Sequence, residues 1–332
     1  MSVLDRSIGT MGVTARLVLA DRAPGAKPSE RLEHAANAAE ALLQDLHAKW
    51  TRFDDDSLLN QLSRAPRTTI PAPDDHLRAL IRAGAYAGRV SGGLVDITLG
   101  AGIARAGYQG HWDQSLSVPI DIALAAAPPR AAAQPDPHAR WQALAADNHN
   151  KTINKPQGVH LDSGGIGKGL AADLVAQHLT GLRYIINIGG DIALGHGGGG
   201  AHEVEVVHPL TRRPVHVFRL GTGGVATSGI HRRVWVDRFG DPAHHLLDPS
   251  TQRPAWTGLL AATAVGRTAL EAEVLAKTAY LKGPNNARRT LAALGGVLVH
   301  EDGRAEVIPA LRLAAQRAAR TTAAATPTPA TA

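Results

Sequence analysis

The 332-residue chain has no cysteine, which excludes disulfides, thiolate nucleophiles, Cys-ligated zinc and iron–sulfur clusters. Aromatic residues are scarce, with three Phe, four Tyr and five Trp. No basic run is interleaved with stacking aromatics, so nucleic acid is not an expected partner. Long apolar runs are also missing. Nothing approaches the roughly 20 apolar residues of a membrane helix, and no transmembrane segment is expected. The first residues, MSVLDRSIGTMGVTARLVLADR, break their short apolar pieces with Asp5, Arg6 and Arg16 and do not read as a secretory peptide. The expected compartment of the chain as it stands is the cytoplasm. A periplasmic or extracellular, membrane-associated place is the alternative if an export or lipoprotein signal has been removed. The formal charge of +6, from 35 basic and 29 acidic residues, is modest and suits an anionic ligand.

What is present is a mixture of helix and strand patterns. Ser29 to Trp50 repeats Leu32, Ala35, Ala39, Leu42, Leu43 and Leu46 at helical spacing behind a Ser29 N-cap. A second helix is expected from near Asp74 to Gly92. Between them TRFDDDSLLNQLS reads as a polar turn, with Asp54 to Ser57 capping backbone groups, followed by a short helix. ALAAAPPRAAAQPDP, Ala123 to Pro137, reads as an exposed connection between two lobes. Strand patterns follow in GVHLD, RYIINIGG, HEVEVVH, RPVHVFRL, RRVWVD, LLAATAVG and GGVLVHEDG, and helical ones in LAADLVAQHL and TALEAEVLAKTAYL. Without a regular βαβ alternation, the expected class is α+β rather than a doubly wound sheet. The closing RTTAAATPTPATA is low in complexity and expected to be disordered.

The densest motif is DSGGIGKGLAAD, Asp162 to Asp173, with four glycines around Lys168. At a strand-to-helix junction, glycines admit close ligand approach, free N–H groups favour an anion and Lys168 adds charge. The same glycines equally describe a tight turn without a ligand. Neither common nucleotide fingerprint fits: Gly169 follows Lys168 where a P-loop needs Ser or Thr, and the glycine spacing is not G-x-G-x-x-G. NIGGD (Asn187 to Asp191) reads either as a strand exit capped by Asp191 or as a second ligand loop. ATSG (Ala226 to Gly229) reads as a phosphate contact or a plain turn. HHLLDPSTQRP offers His244, His245 and Asp248 in a loop, where a histidine accepts a proton near neutral pH and Asp248 orients it or binds a cation. Glu273 and Lys277 lie four apart on a helix, as in an exposed ion pair or in a carboxylate able to reach magnesium. Asp96 sits within the apolar strand pattern SGGLVDITLG.

Taken in chain order, GTMGVTARL, TRFDDDSLLNQLS, GGLVDITLG, HLDSGGIGKGLAAD, YIINIGGDIALG, ATSG, HHLLDP and LEAEVLAKTAYL, from Gly9 to about Leu281, resemble the ApbE-like flavin transferases. These enzymes move FMN from FAD onto a Ser or Thr of an acceptor protein and release AMP. The resemblance implies an α+β, two-lobed fold with a deep FAD cleft between the lobes, not a Rossmann domain. It places a catalytic domain at 1–318, with the flexible connection near 123–137, and a tail at 319–332. FAD contacts are implied at Met11, at Phe53 where a tyrosine is common, at Val95, Asp96 and Ile97, and at Asp162 and Lys168. Gly165 would lend a backbone oxygen to Mg²⁺ and Glu273 a carboxylate, with His245 near the reacting phosphate. The implied partner is a flavin-accepting protein with an exposed Ser or Thr. With water as acceptor the same site would be a FAD pyrophosphatase, and without turnover a FAD-binding protein.

Four positions depart from the family pattern. The metal-site helix usually has an aspartate and, four residues on, a threonine, where this chain has Glu273 and Lys277. A charged lysine only donates hydrogen bonds and does not bind metal, so Lys277 is expected to pair with Glu273 or to set its own charge near the pyrophosphate. Val13 replaces a threonine, and Gln252 stands where a glycine usually follows.

Overall fold

A computed structural model describes residues 2–22, 27–108, 110 and 117–311. Its centre is an eight-stranded sheet whose neighbours follow chain order. These strands are β1 (Ser2–Thr10), β2 (Val13–Asp21), β3 (Arg183–Ile188), β4 (Asp191–His196), β5 (Gly223–Gly229), β6 (Leu259–Gly266), β7 (Gly296–His300) and β8 (Ala305–Ile308). Every pairing is antiparallel. A dinucleotide-binding doubly wound fold needs parallel strands with crossover helices, so the α+β class holds.

Between neighbouring strands β2 and β3 the chain inserts α1 (Glu30–Trp50), α2 (Leu58–Arg64), α3 (Asp75–Ser91), α4 (Gly100–Arg105), α5 (Ile120–Ala126) and α6 (Gly167–Gln177). Ser29 caps α1 through its hydroxyl to the Leu32 N–H, and Leu32, Ala36, Ala39, Leu43, Leu46 and Trp50 form the buried stripe. Ser57 and Asp74 cap α2 and α3 in the same way, and Gly92 closes α3 at φ 68°. A long helix, α7 (Ala269–Leu291), kinks at Gly283 before Pro284 and lies against β5 and β6. Strand β6 is buried at every residue, as expected of a strand covered on both faces.

Buried side chains form two large clusters. One joins α1, α3 and α6 to β2 and β3. The other joins α7 to β6 and β7.

Three local expectations change. GVHLD forms a single parallel bridge, Leu99 to His160, because the partner chain turns into α4 at Gly100, whose missing Cβ would lie 2.6 Å from the His160 carbonyl oxygen. Asp96 lies outside any strand, just before a turn at Ile97 and Thr98, and its Oδ1 accepts from the Thr98 N–H and hydroxyl. ATSG is the second half of β5 rather than a turn or phosphate loop, with the Thr227 hydroxyl hydrogen-bonded across to that of Thr263 on β6 at 2.9 Å.

The stretch 123–137 begins inside α5 and then crosses the second cluster, where the Ala131 and Ala133 N–H groups donate to the carbonyls of Trp256 and Leu281. The tail at 319–332 lies outside the described residues. No helix among the described residues is long and apolar enough to cross a membrane.

Candidate active site

A cavity opens where the two clusters meet, drawing Trp50, Val95 and Ile97 from one and Leu94 and Leu246 from the other. Of the residues expected in the site, Met11, Phe53, Val95, Asp96, Ile97, Asp162, Gly165, Lys168, His245 and Lys277 line it. Glu273 does not; it is fully buried behind the wall.

Met11 and Gly12 form the two-residue turn of the β1–β2 hairpin, at φ 49° and 69°. Such turns favour Asn-Gly because both central residues take positive φ. A methionine there costs about 1–2 kcal/mol, and its N–H is held by His47 Nδ1 at 3.2 Å. The next hairpin turn, Gly189–Gly190, repeats the positive φ, and Val13 packs so close to Gly189 that a Cβ there would lie 2.8 Å from the valine.

The Gly-rich motif divides its labour differently from a phosphate loop. Asp162 takes the Arg52 Nε–H at 2.8 Å and the Gly164 N–H at 2.6 Å. The helix starts at Gly167, three residues earlier than its apolar pattern predicts, so Lys168 and Gly169 lie in the first turn of α6. Gly169 serves packing: a Cβ would lie 2.7 Å from the Ala269 carbonyl oxygen and 2.9 Å from Glu273 Oε2. Its N–H donates to Glu273 Oε2 at 2.8 Å, so a protein carboxylate already occupies this helix N-terminus. In return Asp173 of α6 accepts the first N–H groups of α7, from Ala269 at 2.8 Å and Leu270 at 2.9 Å.

Lys168 and Lys277 meet two buried carboxylates. The Lys168 ammonium donates to Asp191 and, at 3.4 Å, to Glu273 Oε1. Lys277 reaches the same Oε1 at 2.9 Å. The pair on α7 is therefore buried, not a surface ion pair. Burial disfavours charge on Lys168, but Asp191 and Glu273 outweigh it and raise its pKa. Burial works to raise Glu273, and Lys277 and Lys168 overcome it, so its carboxyl is held below the usual range. Burial pushes Asp191 up to about 6 against the pull of Lys168.

This donor set does not fit magnesium. Both oxygens of Glu273 are engaged, one by two ammonium groups. Among the described residues no group of three or more His, Asp or Glu side chains is placed to hold a metal.

His245 is half-buried on the cavity wall, and desolvation with the positive charge of Arg233, Lys277 and Lys168 nearby holds it well below 6.5. It is a neutral imidazole at pH 7. Its Nδ1 is buried without a partner, leaving Nε2 as the ring nitrogen for a ligand. Asp96 is raised by burial, with Oδ2 unpartnered. His244 faces away, edge-on to Trp256 at 4.6 Å, and Asp248 spends Oδ1 on the Ser250 N–H and hydroxyl. Neither lines the cavity.

Several wall residues escaped the sequence reading. Arg52 holds Asp162 and stacks on Phe53, 4.3 Å from the ring centroid. Tyr108 meets Phe53 edge-on at 5.8 Å and stacks on Trp235 at 5.6 Å. Arg233 lines the cavity from the turn before Val234. The one available signal was Arg52, next to the aromatic already singled out.

The antiparallel sheet, the helical insertion and a cavity lined by two lysines and by aromatics define an α+β protein with a candidate ligand site. The ApbE family model matches residues 11–299, and the chain belongs to the ApbE family. It is 26% identical over 302 residues to the FAD:protein FMN transferase of Haemophilus influenzae, covering 86% of this chain and 82% of that one. It is 28% identical over 220 residues to the Salmonella typhimurium protein of the same name, covering 64% and 59%. The fold matches the crystal structure of the Thermotoga maritima ApbE protein with a TM-score of 0.74 at 22% identity, over 94% of this chain and 98% of that one. It also matches the Vibrio cholerae flavin transferase ApbE with a TM-score of 0.69 at 20% identity, over 94% and 98%.

Proposed function

We propose that this protein is a FAD:protein FMN transferase and that the cavity is its flavin cleft, set between two lobes. The observation that carries the reading is that one cavity gathers Lys168, Lys277, Arg233 and His245 with Trp50, Phe53 and Tyr108. The first group suits a pyrophosphate and the second a planar ring system. Family membership and the names of the relatives point the same way.

In the proposed reaction a Ser or Thr hydroxyl oxygen of an acceptor protein bonds to the phosphorus on the FMN side of FAD. The bond from that phosphorus to the bridging oxygen breaks, and its electron pair leaves with AMP. The hydroxyl proton passes to His245, which is neutral and therefore able to take it. The cations around it make the free imidazolium unfavourable, and the two negative charges of the pyrophosphate offset them once substrate is bound. Lys168 and Arg233 face the charge that grows on the phosphoryl and leaving oxygens, as fixed charges that need no reorganisation. Met11, Phe53, Val95, Asp96 and Ile97 would hold the flavin, and Asp162 would act through Arg52. No step is assigned to magnesium.

AMP release from FAD, with and without a flavin-accepting domain, tests the reading. Release only with acceptor is the expected result. Equal release of AMP and FMN without acceptor would make the protein a FAD pyrophosphatase, and intact FAD in both cases a binding protein.

A further inference from the structure

We infer that the Lys277 ammonium is the resident cation of this site, so that phosphate charge is met without a divalent metal ion. The inference rests on the flavin reading above and adds how the phosphates are neutralised.

Two observations carry it. The first is occupancy. Glu273 is buried completely, and its Oε1 already receives Lys277 at 2.9 Å and Lys168 at 3.4 Å, while Oε2 receives the Gly169 N–H. A divalent ion bound to Glu273 would sit within a few ångströms of two ammonium groups in a poorly solvated pocket, where like charges repel strongly. It would have to displace Lys277 from its partner. The second is unused capacity. An ammonium carries three N–H donors, yet among the described residues Lys277 donates to Glu273 alone. It also lines the cavity. A lysine that served only to neutralise Glu273 would need no opening toward the ligand space.

The geometry also explains why this cation stays in place. Glu273 and Lys277 are one helical turn apart on α7, and Glu273 is pinned from the other side by the first turn of α6. The Lys277 charge is thus fixed before substrate arrives, the condition under which electrostatic stabilisation is most effective. With Lys168 held by Asp191, the two ammonium groups and two carboxylates balance, and the donors left over are directed by a network that needs no ion to complete it.

The test uses the full chain, with FAD and inorganic pyrophosphate as separate probes. Binding is measured with chelator and with Mg²⁺, and Mn²⁺ uptake by loss of the free-ion EPR signal. The expected result is that each probe binds within about twofold under the two conditions and that no stoichiometric Mn²⁺ is taken up. Lys277→Thr should weaken binding about tenfold in chelator, recover it with Mg²⁺ and take up Mn²⁺ with the probe. A wild-type affinity that rises about tenfold with Mg²⁺, or stoichiometric wild-type Mn²⁺ uptake, would overturn the inference without any variant. A folded Lys277→Thr protein that binds as tightly as wild type in chelator would overturn it as well. Failure of FAD to bind strikes the flavin reading instead, and the pyrophosphate and Mn²⁺ titrations still decide this one.

Discussion

Arg233 lines the cavity, and among the described residues it has no hydrogen-bond or ion-pair partner. A further cation lining the cavity with two lysines is expected to serve a ligand, since a charge-assisted hydrogen bond contributes about 1.5–3 kcal/mol. Arg233→Ala should therefore weaken FAD binding by about tenfold to a hundredfold in a fluorescence titration while leaving the melting temperature nearly unchanged. Unchanged affinity would remove Arg233 from the site. In the sequence this residue is one of two adjacent arginines before VWV, and nothing there distinguishes the one that faces inward. Asp96 and Lys168 were legible because paired glycines flank them. The direction of Lys168 was not, since its partners Asp191 and Glu273 come from distant segments. Gln252 shows the reverse case. It adopts φ 56°, which explains why a glycine is usual there, and the glutamine is retained with its Oε1 bonded to Arg105.

Helices α6 and α7 hold each other by their ends. Asp173 accepts two N–H groups from the start of α7, and Glu273 accepts one from the start of α6. Asp173→Ala leaves two partly buried donors without an acceptor and should cost about 2–3 kcal/mol in urea unfolding. A loss under about 0.5 kcal/mol would mean that water replaces the carboxylate. The helices themselves were readable where a cap and an apolar stripe coincide, as at Ser29 and Asp74. The start of α6 was not, because glycines in the first turn resemble a loop and their reason lies in α7, whose backbone passes Gly169. Likewise GVHLD alternates like a strand but has one paired residue, as no neighbouring strand continues beside it.

At the scale of the molecule, the class followed from the irregular order of strand and helix patterns, but the neighbour order did not, since β2 and β3 pair across the whole helical insertion. That long-range closure brings the early Met11 turn to the same cavity as the Gly-rich motif. The buried ionisable groups give the fold a measurable pH response. Burial holds His244 near 3, below the ordinary 6.5, so the unfolded chain takes up a proton before the folded one does. Its contribution to stability is complete above about pH 6.5 and is lost as the pH falls toward 3, by about 1.4 kcal/mol per pH unit. Asp191, raised to about 6, acts in the opposite sense below that pH, so the test is a difference. The stability of His244→Phe relative to wild type should climb by that slope on acidification below pH 6.5, and a difference independent of pH would contradict it. The central claim is transfer of FMN to protein, and the intact mass of a flavin-accepting domain after incubation with FAD and this protein tests it most directly. One added FMN on a Ser or Thr, absent with His245→Ala, is the predicted result; an unmodified acceptor that a known transferase does flavinylate would contradict it.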